Sequence, residues 1–113
     1  MPVLTNMTTG TVLAERAEVA DALLKRIVGL LGRRSFLDGE AMIFPHCSSI
    51  HTCFMVFAID VIFARQGTVI TLIECLHPWR VVWAAGADTA IELPAGALAR
   101  SATKTGHRLQ WTV

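Results

Sequence analysis

The feature that most constrains the fold is a pair of apolar runs in the middle of the chain. Residues 52–64 are rich in β-branched and aromatic side chains, and residues 68–76 continue the same pattern. They are joined by Arg65-Gln66-Gly67, and a short connection that contains Gly between two such runs is typical of a β-hairpin. The sequence therefore predicts that residues 52–76 form two antiparallel strands.

The other strand signals are short and are separated by turns at Gly86, Pro94-Ala95-Gly96 and Gly106. These further strands are predicted at residues 11–20, 41–44, 80–84, 89–93 and 107–113. Short strands at close spacing favour an antiparallel sandwich or barrel over parallel βαβ units. We therefore expect a mainly β fold, a compact antiparallel β-sandwich or barrel.

One amphipathic helix is predicted at residues 21–31. Asp21 is a good N-cap, and Gly32 can end the helix in a left-handed conformation. An apolar stripe runs between them, formed by Leu23, Leu24, Ile27, Leu30 and Leu31. We expect this helix to cover one face or one end of the β-structure.

Length and composition indicate one globular domain over residues 1–113, with residues 1–10 as a loose N-terminal segment. Hydrophobic residues make up 53% of the chain and charged residues only 17%, which excludes the disordered class. The net charge is +1, so the chain creates no strong overall field that would select partners by charge. The chain contains no repeat and no Pro/Gly/Ser linker that would divide it.

The sequence predicts a cytoplasmic protein without a membrane span. The longest apolar run, residues 53–64, is interrupted by Asp60 and is shorter than the roughly 20 residues that a membrane helix needs. The N-terminus lacks the basic start and apolar middle of a signal peptide. Three cysteines, an odd number, argue against a disulfide framework.

A group of histidines and cysteines is the densest candidate for chemistry. Residues two apart on a strand share a face, so His51 would point with Cys53, and Cys75 with His77. If those strands pair in register, the side chains could converge on a zinc ion. The spacing matches no common zinc motif, however, and packed thiols and hydrogen-bonded histidines are the favoured interpretation. We therefore predict no metal and no other cofactor.

An enzyme is the alternative that these residues leave open. Cys47 and His51 are four residues apart, and a nearby imidazole can activate a thiol by stabilising the thiolate. No nucleophile motif surrounds Cys47. A metal- or thiol-dependent enzyme would draw on Cys47, His51, Cys53, Cys75 and His77.

Asp60 is the most informative single residue, because it lies inside an apolar run where a carboxylate is costly to bury without partners. It could be a general base or ligand anchor in a pocket. The favoured alternative is a structural carboxylate that pairs with Arg26, Arg33 or Arg34 or that caps nearby amides. On a regular strand Asp60 and His51 would face opposite sides, so any partnership between them requires a bulge or kink.

Basic residues near the predicted helix could contact phosphates. They are Arg16, Lys25, Arg26, Arg33 and Arg34. The pI is only about 7.8 and Tyr is absent, so a solvated helix face is favoured and no nucleic-acid partner is predicted.

Several short motifs occur in order along nearly the whole chain from about residue 12. They are Arg26-Ile27-Val28-Gly29-Leu30-Leu31-Gly32-Arg33, Gly39-Glu40-Ala41-Met42-Ile43-Phe44, Ser49-Ile50-His51-Thr52-Cys53-Phe54-Met55, Ile59-Asp60-Val61-Ile62-Phe63, Pro78-Trp79-Arg80 and Glu92-Leu93-Pro94-Ala95-Gly96. Together they resemble DUF192, a small prokaryotic family of unknown function. The resemblance implies a compact antiparallel β-sandwich or barrel with a helix, and it implies no reaction.

The resemblance leaves four polar positions as candidate ligand-binding residues: His51, Asp60, Arg33 and Arg26. Val56 and Ala58 stand where members of that family often have Arg and Pro, which weakens an anion site beside His51 and Asp60. Polar side chains embedded in apolar strands are the usual makeup of a binding site.

We therefore expect a non-enzymatic module that binds a small molecule or a protein partner in a pocket around His51 and Asp60. A further alternative is a structural homodimer, in which surplus apolar residues would form the interface between the two chains. The sequence permits either a monomer or a homodimer.

Overall fold

A computed structural model describes residues 2–20 and 36–112. These residues form mostly strands and one short helix, α1 (Ala97–Ser101). The strands are β1 (Leu4–Asn6), β2 (Thr11–Ala14), β3 (Arg16–Val19), β4 (Glu40–Pro45), β5 (Ser49–His51), β6 (Ile59–Arg65), β7 (Thr68–Leu76), β8 (Val81–Trp83), β9 (Thr89–Pro94) and β10 (Leu109–Trp111). The mainly β fold predicted from the sequence is confirmed.

A five-stranded sheet in the order β3-β4-β9-β6-β7 forms the middle layer. A three-stranded sheet in the order β10-β1-β2 and a two-stranded ribbon of β5 and β8 complete the structure. The predicted hairpin is present as β6 and β7, which pair antiparallel across the turn at Gln66 and Gly67. Within the described residues the sheets do not close into a barrel, and the arrangement is a sandwich.

The five-stranded sheet is apolar on both faces and therefore has a core on each side. On one face, Ile43 and Ile91 pack in a cluster with Leu4 of the three-stranded sheet and Leu98 of α1. On the other face, Phe63 packs in a cluster with Ile50 of the ribbon. The ribbon thus lies on the opposite side of the central sheet from the three-stranded sheet.

One strand pair differs from the all-antiparallel expectation, because β3 runs parallel to β4. Parallel neighbours need a crossover of a dozen or more residues, and the chain between Val19 and Glu40 is long enough to supply it. The helix predicted at residues 21–31 falls in this interval and lies outside the described residues.

The strand predicted at residues 11–20 is two strands, which belong to different sheets on either side of a bend at Glu15.

Two other segments differ from their predictions for tertiary reasons. Residues 52–58 form a loop rather than the start of a strand, and β6 begins only at Ile59. The N-terminal segment is not loose: β1 pairs with β2 and β10, and Leu4 is fully buried. Helix α1 was not predicted and directly follows the expected turn at Pro94-Ala95-Gly96.

Candidate functional site

Asp60 is fully buried at the start of β6, and backbone amides occupy its carboxylate. The Cys75 N–H donates to Oδ1 at 2.9 Å. The Gly96 and Leu98 N–H groups donate to Oδ2 at 3.1 and 2.9 Å, at the start of α1. The side chain therefore ties three separate segments together, as a structural carboxylate does.

These contacts explain an irregularity in the hairpin. Ile59 pairs with Leu76 and Val61 pairs with Ile73, so Asp60 alone lies opposite two residues of β7, Glu74 and Cys75. Cys75 has a positive φ of 54°, and its amide turns inward to the carboxylate. The extra residue of β7 forms a β-bulge, and the Asp60 carboxylate accepts the hydrogen bond from its Cys75 N–H.

His51 is exposed at the end of β5, on the ribbon rather than in the core. It lies opposite Val81, and Ser49 lies opposite Trp83. Because directly opposed residues of an antiparallel pair share a face, these four side chains form the outer surface of the ribbon. Ile50 and Val82 face the opposite way and pack into the core.

Two aromatic residues extend this surface beyond the end of the ribbon. Phe54 follows β5 and Trp79 precedes β8, and their ring centroids are 4.6 Å apart. Both residues have left-handed backbone conformations, with φ of 68° and 64°, which are genuine outliers for bulky side chains. Both are also exposed, at 68% and 59%. We call the surface formed by His51, Phe54, Trp79, Val81 and Trp83 the aromatic platform.

Thr52 holds the two loops of the platform together. Its side chain is fully buried, its hydroxyl donates to the His77 carbonyl at 2.7 Å, and it accepts from the Arg80 N–H at 2.9 Å. Its backbone carbonyl accepts from the Trp79 N–H at 3.0 Å. These bonds fix the backbone on both sides of Trp79, so the aromatic pair is held in a defined position.

The two segments that carry the platform contain no carboxylate in their sequence. Residues 46–57 and 77–84 contain no Asp or Glu, whereas they contain Arg80 and three histidines, all exposed. The side chains of these two segments are therefore neutral or cationic. This surface was not predicted from the sequence, where Trp79 stands out only as part of the motif Pro78-Trp79-Arg80.

The cysteines and histidines of the alternative enzyme can be compared with the structure. All three cysteines are free, and the Cys47 thiol donates to the Ser49 carbonyl at 2.9 Å. Among the described residues, no group of three or more His, Cys, Asp or Glu side chains is arranged to hold a metal ion. The remaining candidates, Arg26 and Arg33, lie outside the described residues.

Glu92 is a second buried carboxyl group, and in the sequence it stands out only as part of the motif Glu92-Leu93-Pro94-Ala95-Gly96. It lies on β9, the central strand of the five-stranded sheet, between Met42 of β4 and Val61 of β6. Desolvation by burial raises its pKa from 4.5 to about 8. The sequence does contain a signal for its burial, because Glu92 lies between Ile91 and Leu93 in the strand predicted at residues 89–93.

By its fold, the protein belongs to the class of mainly β proteins with a sandwich arrangement. A comparison with known families assigns it more narrowly. The family model DUF192, described as "Uncharacterized ACR", matches residues 4–111. The chain belongs to this family.

Among the described residues, no helix has the length and apolar character to cross a membrane.

Curated relatives and a solved structure agree with this assignment. A UPF0127 protein of Thermococcus sibiricus is 32% identical over 97% of this chain and 75% of its own length. A UPF0127 protein of Pyrococcus furiosus is 32% identical over 94% of this chain and 95% of its own length. A crystal structure of a protein of unknown function from Novosphingobium aromaticivorans has a TM-score of 0.82 and 25% identity, covering 97% of this chain and 83% of the other.

Proposed function

We propose that this protein is a non-catalytic binding module that recognises a protein partner through the aromatic platform. The observation that carries this proposal is the pair of Phe54 and Trp79, both bulky, exposed and in left-handed backbone conformations. Such conformations cost on the order of 1–3 kcal/mol each and persist where the surrounding structure imposes them, often at ligand-binding positions. Here the bonds from Thr52 to His77, Trp79 and Arg80 hold the backbone at Trp79. The Thr52 carbonyl also accepts from the Met55 N–H, which closes the turn that contains Phe54.

The exposed area supports a macromolecular partner. A whole Phe or Trp side chain buries roughly 150–250 Å². Phe54, Trp79 and Trp83 are 68%, 59% and 72% exposed, so together they present on the order of 400 Å² of aromatic surface. The largest apolar patches on monomeric proteins, about 300–600 Å², are often functional. Val81 adds further apolar area beside them.

The charges around the platform favour an acidic partner segment. Arg80 is exposed next to Trp79, and His51 lies opposite Val81. Residues 46–57 and 77–84, which carry the platform, contain no carboxylate that would repel an acidic peptide. Apolar side chains of the partner would contact the rings, while its carboxylates would approach Arg80 and the histidines.

In this proposal the four sequence candidates have different roles. His51 contacts the partner from the platform, whereas Asp60 holds the bulge and the start of α1 and does not touch the partner. Arg26 and Arg33 remain candidate ligand-binding residues.

Peptide selection tests this function. A phage-displayed library of random peptides would be selected against the immobilised protein, and the enriched peptides would be synthesised with a fluorescent label. We expect Asp, Glu and apolar residues to be enriched. We also expect Trp79→Ala to raise the Kd, measured by fluorescence anisotropy, at least about tenfold.

Val12→Ala is the matched control, because Val12 is an exposed apolar residue of β2 in a different sheet. It should leave the Kd unchanged. If Trp79→Ala lowers the melting temperature, Trp83→Ala on the ribbon serves as the second variant. Selected peptides that bind the platform variants as tightly as the wild type would refute the assignment, and so would a failure to select any peptide.

A further inference from the structure

We propose that a cavity beside α1 binds a free aliphatic amino acid. The cavity has a volume of about 220 Å³ and lies beside β7 and α1, and its lining combines Glu74 and Lys104 with mostly apolar residues. Two of the apolar residues, Leu72 and Leu98, pack with the core on the face of the central sheet opposite the ribbon. The cavity is therefore separate from the aromatic platform.

The cavity has an apolar floor and a charged rim. Leu98 and Thr103 are each only 3% exposed, and Leu72 is half-buried. The Thr103 hydroxyl is already hydrogen-bonded within the protein, so aliphatic groups set the character of the floor. Glu74 and Lys104 are exposed and therefore lie at the rim. A ligand would place an apolar group inside and its charged groups at the entrance.

The two charges at the rim have opposite sign. Within the part of the chain that the structure describes, Glu74 and Lys104 form no ion pair with each other or with another residue. A ligand ammonium would pair with the carboxylate, and a ligand carboxylate would pair with the lysine. A zwitterion satisfies both groups at once, whereas a ligand with a single charge would be attracted by one and repelled by the other.

Hydrogen bonds position the backbone of both rim residues. The Lys104 N–H donates to His107 Nδ1 at 3.1 Å, and the Lys104 carbonyl accepts from the His107 N–H at 3.1 Å. Glu74 directly precedes Cys75, whose N–H donates to Asp60 at 2.9 Å. The backbone at the rim is thus ordered before a ligand arrives, which reduces the entropy lost on binding.

The size of the cavity favours a ligand of a few heavy atoms. Its volume of about 220 Å³ is below the roughly 300–1,000 Å³ of pockets that bind drug-sized molecules. An aliphatic amino acid carries an ammonium, a carboxylate and an apolar side chain on one carbon atom. Its side chain would enter toward Leu98, while its charged groups stay at Glu74 and Lys104. This division matches the floor and the rim.

Titration of isotope-labelled protein with L-leucine, followed by NMR chemical shifts, tests this site. We expect saturable shifts at the amides of Leu72, Ala99 and Lys104, with a Kd of about 1 mM or lower. N-acetyl-L-leucine lacks the ammonium, L-leucinamide lacks the carboxylate, and glycine lacks the apolar side chain. Each of these three should bind at least about tenfold more weakly than L-leucine.

Variants at the rim assign each charge. Glu74→Gln should bind L-leucine and N-acetyl-L-leucine with similar Kd values, because its amide no longer selects an ammonium. Lys104→Met should likewise bind L-leucine and L-leucinamide with similar Kd values. Glu15→Gln is the matched control, since it neutralises an exposed carboxylate on the bend between β2 and β3. It should keep the preferences of the wild type.

Three results would overturn the proposal. The first is a wild type whose shifts do not saturate up to about 20 mM L-leucine, or saturate only at amides away from the cavity. The second is a blocked analogue that binds the wild type as tightly as L-leucine. The third is an unchanged preference in either rim variant, because that side chain would then not contact the ligand.

Discussion

Two buried carboxyl groups on adjacent strands meet the cost of burial in different ways. Asp60 accepts three backbone hydrogen bonds, and these join β7 and the start of α1 to β6. Glu92 lies between the apolar side chains of Met42 and Val61, where desolvation raises its pKa to about 8. At neutral pH the Glu92 carboxyl group is therefore mostly protonated. Backbone donors thus stabilise the Asp60 carboxylate in the interior. Glu92 instead avoids a buried charge by keeping its proton.

The raised pKa of Glu92 makes the stability of the fold depend on pH. Below the unfolded value of 4.5 the carboxyl is protonated in both states, and its full contribution is present. Above that value the unfolded chain releases a proton that the folded chain keeps, so the free energy of unfolding falls as pH rises toward 8. The slope should approach about 1.4 kcal/mol per pH unit.

Glu92→Gln isolates this effect, because the amide has a similar shape and does not titrate. Urea unfolding of both proteins should be measured from about pH 5 to about pH 8. We expect the difference in unfolding free energy to move in favour of the variant by a few kcal/mol over this range. A difference that stays constant with pH would show that Glu92 titrates near its ordinary value in the fold.

At the scale of the element, the ribbon of β5 and β8 is short, and side-chain bonds fix its end. Each of its strands has three residues, and a two-stranded hairpin alone is marginally stable in water. Ile50 and Val82 attach it to the central sheet. Thr52 then connects the loop after β5 to the loop before β8. The position of the exposed rings depends on this one buried hydroxyl group as well as on the strands.

Thr52→Val should destabilise the protein by about 1–3 kcal/mol, because it leaves the Arg80 N–H and the His77 carbonyl without their bonds to the hydroxyl. Urea unfolding gives the stability. Amide hydrogen exchange should be faster at Arg80 in the variant, and it reports on the platform itself. Thr5→Val, on β1 of another sheet, is the control. Unchanged exchange at Arg80 would mean that the loops hold their conformation without the hydroxyl.

At the scale of the whole molecule, the two ends of the chain are joined. β1 pairs with β10 near the C-terminus. The side-chain amide of Asn6, which is fully buried, donates to the Thr103 hydroxyl and lies 3.1 Å from His107 Nδ1. The central strand β9 meanwhile pairs with both β4 and β6. Among the sheets of residues 2–20 and 36–112, none therefore consists of one continuous part of the chain that could separate from the rest.

This arrangement predicts a single cooperative unfolding transition. Tryptophan fluorescence reports on Trp111 of β10 and on Trp79 and Trp83 of the platform, while far-UV circular dichroism reports on all the strands. We expect the two signals to give the same urea midpoint. Separate midpoints would indicate that the three-stranded sheet or the ribbon unfolds independently of the central sheet.

Local sequence patterns predicted part of this fold. The hairpin was predictable because the apolar runs and the Gly67 turn are neighbours along the chain. Residues 52–58 were not, because their composition favours a strand, whereas bonds from Thr52 to residues 25 and 28 positions away hold them in a loop. The parallel pairing of β3 with β4 was also missed, since the antiparallel expectation rested on the spacing of short strands. Asp60 was predicted as a candidate from its apolar neighbours, but its partners were not.

The sequence by itself determined the mainly β class, the family and most strands, because alternating side chains and glycine turns act between residues that are close along the chain. Only the tertiary structure decided which polar groups meet. The partners of Asp60 lie 15, 36 and 38 residues away and depend on strand register. The exposure of Phe54, Trp79 and Trp83 depends likewise on where the ribbon packs. Burial and register belong to the assembled sheets, so no local pattern could predict the platform.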